Sequence, residues 1–139
     1  MSSKLIPRIH VVAGLIYSPA RDKIFIARRP QGVHQGGLWE FPGGKVDRNE
    51  AAYDALCREL REELAISVIS ASPLFREDYD YPDKSICLDS WVVTDFSGIA
   101  RGNEGQQTAW VAPGSLGAYR FPKANDAIVA HILSTSPGP

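Results

Sequence analysis

Gly43-Gly44-Lys45-Val46-Asp47-Arg48-Asn49-Glu50, running on through Ala51 to Arg58-Glu59-Leu60-Arg61-Glu62-Glu63-Leu64-Ala65-Ile66, is the stretch whose reading decides the fold. Five residues separate Gly44 from Glu50, and seven separate Glu50 from Arg58. With Asn49 as its cap, the spacing predicts a helix that begins at Glu50, on which Glu59, Glu62 and Glu63 fall at i, i+3 and i+4 and share one face. Ala52, Leu56, Leu60 and Leu64 make the neighbouring stripe, expected to bury against a sheet and hold the carboxylates at its edge. Asp54, Arg58 and Arg61 are expected on the opposite, solvated side.

Three like charges on one face repel unless a cation lies between them. A hard divalent ion such as Mg²⁺ suits them, because it takes oxygen ligands and needs few protein carboxylates beside water and substrate phosphate. The alternative is a solvated face softened by Asp54/Arg58 and Arg58/Glu62 pairs, and the helix alone leaves both readings open. The preceding Pro42-Gly43-Gly44 adds weight to the first. Its glycines allow close backbone approach and positive φ, and it leads toward a helix N-terminus that favours phosphate or other anionic oxygen.

Loop and helix together match G-x5-E-x7-R-E-(apolar)-x-E-E-x-G-(apolar) at every fixed position but one. The stretch resembles the Nudix box. The departure is Ala65, where the family has glycine. A glycine there commonly closes the last turn in the left-handed conformation, and alanine costs about 1 kcal/mol. That departure bears on the helix exit and leaves the carboxylates untouched.

A chain of 139 residues is expected to form one domain, with a core over about 9–133 and a tail over 134–139. A formal net charge of -1 gives no electrostatic reason to bind long nucleic acid or an anionic membrane. A small phosphorylated ligand escapes that argument, since its charge can be met locally. Cys57 and Cys87 make no disulfide framework and no metal motif, and both are expected as buried thiols. The start, Met1-Ser2-Ser3-Lys4-Leu5-Ile6-Pro7, has no apolar signal region, and no stretch is long enough to span a membrane, so a cytoplasmic location is expected.

Ile9 to Tyr17 reads as a buried central strand and Lys23 to Arg29 as a second. Alternation sets Ile24, Ile26 and Arg28 on one face and Phe25, Ala27 and Arg29 on the other, so Arg28 or Arg29 could reach a ligand cleft. Pro30 to Gly37 reads as a surface loop, with His34 near the mouth of the site. Leu38 to Phe41 is a short strand delivering the glycine loop. Ile66 to Ala71 is strand-like, and Leu74 to Tyr81 pairs with Ile86 to Thr94 as a hairpin around Pro82-Asp83-Lys84. Tyr79, Tyr81 and Trp91 fit either base stacking or strand packing. Phe96 to Gln107 is a glycine-punctuated loop carrying Glu104, and Thr108 to Val111 is a short strand. Pro113-Gly114-Ser115 opens a turn or short helix, and Phe121 to Asp126 leads into an apolar helix ending at Leu133.

This order is similar to the Nudix α/β/α sandwich, an α/β fold with a mixed β-sheet between helices. Ile26-Ala27-Arg28-Arg29, Leu38 to Gly44, Tyr81-Pro82-Asp83, Glu104-Gly105-Gln106, Phe121-Pro122 and Ala124-Asn125 resemble MutT-type members of that family. The resemblance implies metal ligation by Glu59, Glu62 and Glu63 with the Gly43 carbonyl, and Glu104 as a further carboxylate. It implies phosphate contact by Arg28, purine reading by Asn125, a lesser phosphate role for Lys45, and an Arg58 that steadies Glu50 or Glu59. The implied cofactor is Mg²⁺, with Mn²⁺ as a substitute, and the implied partner is a small nucleotide bound by a monomer or weak homodimer. The implied reaction is hydrolysis of a nucleoside triphosphate, 8-oxo-dGTP above all, to monophosphate and pyrophosphate, with Glu59 as the base that takes the proton of the attacking water. Cytidine triphosphates are the alternative substrates. A non-catalytic Nudix-like binding module is the alternative of another class, and its sign would be loss of the box glutamates, all of which are present.

Overall fold

The computed structural model describes residues 8–33 and 35–135. In chain order these form β1 (Arg8–Ile16), β2 (Ile24–Arg28), β3 (Trp39–Glu40), β4 (Gly43–Lys45), α1 (Ala52–Leu64), β5 (Ser67–Tyr81), β6 (Lys84–Ser97) and β7 (Thr108–Val111). Two 3-10 turns, Pro113–Ala118 and Lys123–Asn125, then lead into α2 (Asp126–Thr135). His34, the N-terminal Met1 to Pro7 and the tail beyond Thr135 lie outside the described residues.

One sheet has four strands in the order β4-β1-β6-β5, and the other has three in the order β3-β2-β7. The first is mixed, since β1 runs parallel to β6 while β4 and β5 pair antiparallel. The apolar run over residues 11–16 of β1 follows from burial on both faces of that part of the strand. Val12 and Ile16 join Leu56, Leu60 and Leu64 of α1 in one core, while Ala13 and Leu15 join Ile128 and Ile132 of α2 in the other. The α/β/α arrangement is the one expected. β2 divides as its alternation predicts, with Ile24 and Ile26 in the α2-side core and Phe25 in the α1-side core. All three α1 leucines are fully buried, each contributing about 1.5–3 kcal/mol, so the helix is seated by this stripe rather than by its caps.

Four expectations need correction. α1 begins at Ala52 with Ala51 at the cap position and no side-chain cap, because Asn49 is in the left-handed region at φ 65 and cannot cap it. The segments Ile66 to Ala71 and Leu74 to Tyr81 are one strand, β5, whose register shifts absorb Pro73. β5 is an edge strand, where a missing N–H and a bulge are tolerated. Cys57 and Cys87 are free but only half-buried: Cys57 borders the buried stripe, and Cys87 lies opposite Asp78 on the edge strand. Ser134 and Thr135 belong to α2 rather than to a tail.

Candidate active site

The glycine loop brings β4 against β1 at the register Ala13 to Gly43. A Cβ at Gly43 would fall on the Val12 carbonyl, and one at Gly44 on the Glu59 carboxylate. Neither glycine has positive φ, so the loop needs them for close approach alone, which removes half of the reason expected from sequence. With no side chain in the way, the Gly43 N–H donates to Glu63 Oε2 at 3.2 Å.

Arg58 is not on a solvated side. Its Nε and Nη2 donate to the two Glu50 oxygens, each at 2.9 Å, while Nη1 reaches Glu59 at 3.1 Å and Glu62 at 3.4 Å. Nη2 also donates to the Lys45 carbonyl at 3.0 Å, tying helix to loop. Glu50 in turn accepts from the Asp47 N–H at 2.9 Å. The Arg58 hydrogen bonds, helped by that N–H, lower the Glu50 pKa to about 2. The same bonds hold the Arg58 guanidinium more firmly charged than usual.

The C-terminal end of α1 is closed by the loop after β6. Ala65 adopts the left-handed conformation at φ 60, and its N–H donates to the Arg61 carbonyl at 3.1 Å. The Glu62 carbonyl accepts from Asn103 Nδ2, the Glu63 carbonyl from the Asn103 N–H and Gln106 Nε2, and the Leu64 carbonyl from the Arg101 N–H. All four terminal carbonyls are thus satisfied, and the loop that satisfies them carries Glu104 to the helix.

Between that loop, the end of β2 and β3 opens a cleft of about 640 Å³ walled by Glu40, Glu63, Glu104, Arg28 and Arg29. Burial, then the charges of Glu40, Glu59 and Glu104, push the Glu63 pKa up to about 9 against the opposing Gly43 N–H. Burial also raises Glu59 and Glu40, partly offset by Arg58 and Arg29 respectively. Among the described residues no three acidic, histidine or cysteine side chains converge tightly enough to hold a metal unaided. The donor set nonetheless fits a hard cation: crowded carboxylates raise one another's pKa, and Mg²⁺ completes its shell with water and phosphate.

A second pocket of about 100 Å³ shares Arg29 and Glu40 with the cleft and is closed by Tyr81, Lys84, Pro122 and Asn125. Arg29 Nη1 donates to Glu40 Oε1 at 2.7 Å on the divide between the two. The Tyr81 hydroxyl accepts from the Ala124 N–H at 2.9 Å and fixes the turn that presents Asn125. Asn125 is 8% exposed, and among the described residues its side-chain amide has no hydrogen-bond partner.

The model of the NUDIX domain matches residues 12–131. The chain belongs to the Nudix family. It is 34% identical over 125 residues to the 8-oxo-dGTP diphosphatase of Escherichia coli strain K12, covering 90% of this chain and 96% of that protein. It is 40% identical over 117 residues to the CTP pyrophosphohydrolase of the same organism, covering 84% and 83%. A MutT structure, from work on the Aliivibrio salmonicida and Vibrio cholerae proteins, superposes with a TM-score of 0.82 at 41% identity, covering 94% of this chain and all of that one.

Within this Nudix hydrolase, Glu63 and Glu104 face the cleft, while Glu59 and Glu62 lie on the Arg58 side of the helix. Arg28 reaches the cleft wall, its Nε bonded to the Gly37 carbonyl at 2.9 Å and Nη1 to Gln107 Oε1 at 3.2 Å. The Lys45 side chain is exposed at the end of β4 and lines neither cavity. Trp91 packs against the α1-side core and Tyr79 and Tyr81 against the α2-side core, and Tyr81 also borders the Asn125 pocket. Sequence reasoning missed Glu40 and Lys84. An acid within an otherwise apolar Leu38 to Phe41 segment was the available signal for Glu40; Lys84 looked like an ordinary turn residue. No helix among the described residues is long and apolar enough to cross a membrane.

Proposed function

We propose that this Nudix hydrolase is a Mg²⁺-dependent, MutT-type nucleoside triphosphate pyrophosphohydrolase that cleaves oxidised purine nucleotides such as 8-oxo-dGTP to monophosphate and pyrophosphate. The role is sanitation of the nucleotide pool in the cytoplasm, in support of DNA repair. The observation that carries the reading is the unpartnered amide of Asn125, a residue 8% exposed, in a pocket that joins the carboxylate cleft at Arg29 and Glu40. That amide is free to pair with a base edge, a hydrogen bond that would contribute about 0.5–1.5 kcal/mol.

Oxidation at C8 turns purine N7 from an acceptor into an N–H donor while O6 stays an acceptor, so one asparagine amide accepts from the first and donates to the second. Ordinary guanine offers two acceptors, and the amide oxygen then faces a lone pair. Glu59, Glu62, Glu63, Glu104 and the Gly43 carbonyl would hold the metal. Bound there, Mg²⁺ or Mn²⁺ would offset phosphate charge and lower the pKa of water. Glu59 would accept the proton of the attacking water, its own affinity for a proton raised by burial. Arg58, fixed by Glu50, holds Glu59 in position, and Arg28 and Arg29 meet the phosphates.

Cytidine triphosphate is the second reading, favoured by the 40% identity to a CTP pyrophosphohydrolase. Cytosine has a donor at N4 and an acceptor at N3, and so can also satisfy the Asn125 amide. Initial rates with Mg²⁺ on 8-oxo-dGTP, dGTP and CTP, analysed for monophosphate and pyrophosphate, decide between them. A preference for CTP transfers the function to the second reading, and release of single phosphates overturns both.

A further inference from the structure

The loop between β6 and β7 crosses the C-terminal end of α1 and carries a single acid, Glu104. Glu104 is exposed, and among the described residues its side chain makes no hydrogen bond or ion pair. Its charge is nonetheless felt by Glu59 and Glu63. Where its carboxylate stands is therefore decided by the backbone that carries it.

One side chain holds that backbone. Gln106 Oε1 accepts from the Glu104 N–H at 2.9 Å, and Gln106 Nε2 donates to the Glu63 carbonyl at 3.1 Å. A single planar amide thus joins the two residues, using its oxygen on one and its nitrogen on the other, which fixes its orientation. The bond to Glu63 is not needed to close the helix. The Asn103 N–H already donates to the same carbonyl at 2.9 Å, so the amide adds constraint instead of rescuing an orphan group. The turn is tight around it: the Gly105 N–H donates to the Gly102 carbonyl at 3.0 Å, and a Cβ on Gly102 would fall on the Gln106 carbonyl. Gln106 is half-buried and shares the lining of the cleft with Glu63 and Glu104.

We propose that Gln106 is a positioning residue for the metal site: its amide clamps the Glu104 backbone to the end of α1, so that Glu63 and Glu104 face a divalent cation together without the loop first having to order. Gln106 acts through Glu104 and not on the cation itself. The proposal rests on the reading above in which Glu63 and Glu104 belong to the metal set.

The test is Mn²⁺ binding to the nucleotide-free protein, read from the electron paramagnetic resonance of the free ion, in a double-substitution cycle with Glu104→Gln. Gln106→Met keeps the length of the side chain and removes both hydrogen bonds. Gln106→Leu is measured beside it, so that the result does not hang on one replacement, and urea melts report the fold of each variant. Both substitutions are expected to weaken Mn²⁺ binding about tenfold or more, the range seen when a group that orients a metal ligand is lost. In the Glu104→Gln background the same substitutions should change affinity by less than about twofold, because the carboxylate they misplace is already gone. A merely structural role would weaken binding equally in both backgrounds. Equal losses in the two backgrounds, or wild-type affinity in both Gln106 variants, overturn the positioning role and leave the metal set standing. If Glu104→Gln alone binds Mn²⁺ as wild type does, Glu104 leaves the metal set and the positioning role falls with it.

Discussion

Glu50 and Glu63 belong to one motif and meet opposite fates. Glu50 sits just ahead of α1 within a network in which Arg58 donates to both its oxygens, and its pKa falls to about 2. Glu63, near the other end of α1, is half-buried among Glu40, Glu59 and Glu104, with one backbone N–H as its hydrogen-bond donor among the described residues, and its pKa rises to about 9. The first region is electrostatically complete and works as a brace. The second is crowded with acids that no basic side chain fully offsets. Glu59 lies between them, touched by Arg58 and feeling the charges of Glu62 and Glu104.

The largest expected effect comes from removing charge on the crowded side. Glu63→Gln or Glu62→Gln should leave the fold intact and lower kcat by about 10²-fold or more, because each removes a charge that offsets the metal in the active state. Chelator should abolish wild-type activity and Mg²⁺ restore it. Near-normal turnover of either variant at saturating Mg²⁺ would take that residue out of the metal set.

Next in size is the base pocket, which should be separable from the carboxylates. Asn125→Ala is expected to lower kcat/KM for 8-oxo-dGTP about ten- to a hundredfold and to change dGTP much less. Equal losses on 8-oxo-dGTP, dGTP and CTP would sink the base-reading role.

The two regions should also respond to pH with opposite signs. For Glu63 the native state keeps a proton up to about pH 9 that the unfolded chain gives up near 4.5, so without metal stability falls as pH rises between those values. Mg²⁺ binding displaces that proton, and its apparent affinity should climb by up to about tenfold per pH unit over the same window. For Glu50 the sign reverses: its contribution is present above 4.5 and is lost as pH falls toward about 2. Metal-free urea melts of wild type, Glu63→Gln and Glu50→Gln read both limbs. A wild type no steeper than Glu63→Gln from pH 5 to 8 would remove the crowding account.

The smallest expected effect is at the helix exit. Since Ala65 is left-handed at φ 60, Ala65→Gly should stabilise by up to about 1 kcal/mol with activity unchanged. A denaturant midpoint that moves down instead would mean that the alanine is held by more than its backbone geometry.

Local spacing made much of this molecule readable. The leucine stripe, the apolar run of β1 and the alternation of β2 are all set by helix and strand periods, and each lies where those periods put it. The hairpin turn after Tyr81 and the left-handed exit at Ala65 also formed as expected, whereas two other predictions about a cap and a break failed. Asn49 took a left-handed turn rather than the cap, and Pro73 was absorbed by an edge-strand bulge instead of ending a strand.

By itself, then, the sequence determined the box, its helix face, the α/β class and the acidic character of the site, because these rest on residue type and short-range period. The tertiary structure decided which acids are paired and which are crowded. Arg58 looked solvated on a helical wheel and turned out to be the brace, because the loop folded back to bring Glu50 and the Lys45 carbonyl within its reach. Glu40, Arg29 and Asn125 come from β3, the end of β2 and the turn before α2, and only the packing of those elements makes them walls of adjoining pockets. Burial and long-range charge set the proton affinity of Glu63, and neither has a local signature in the chain.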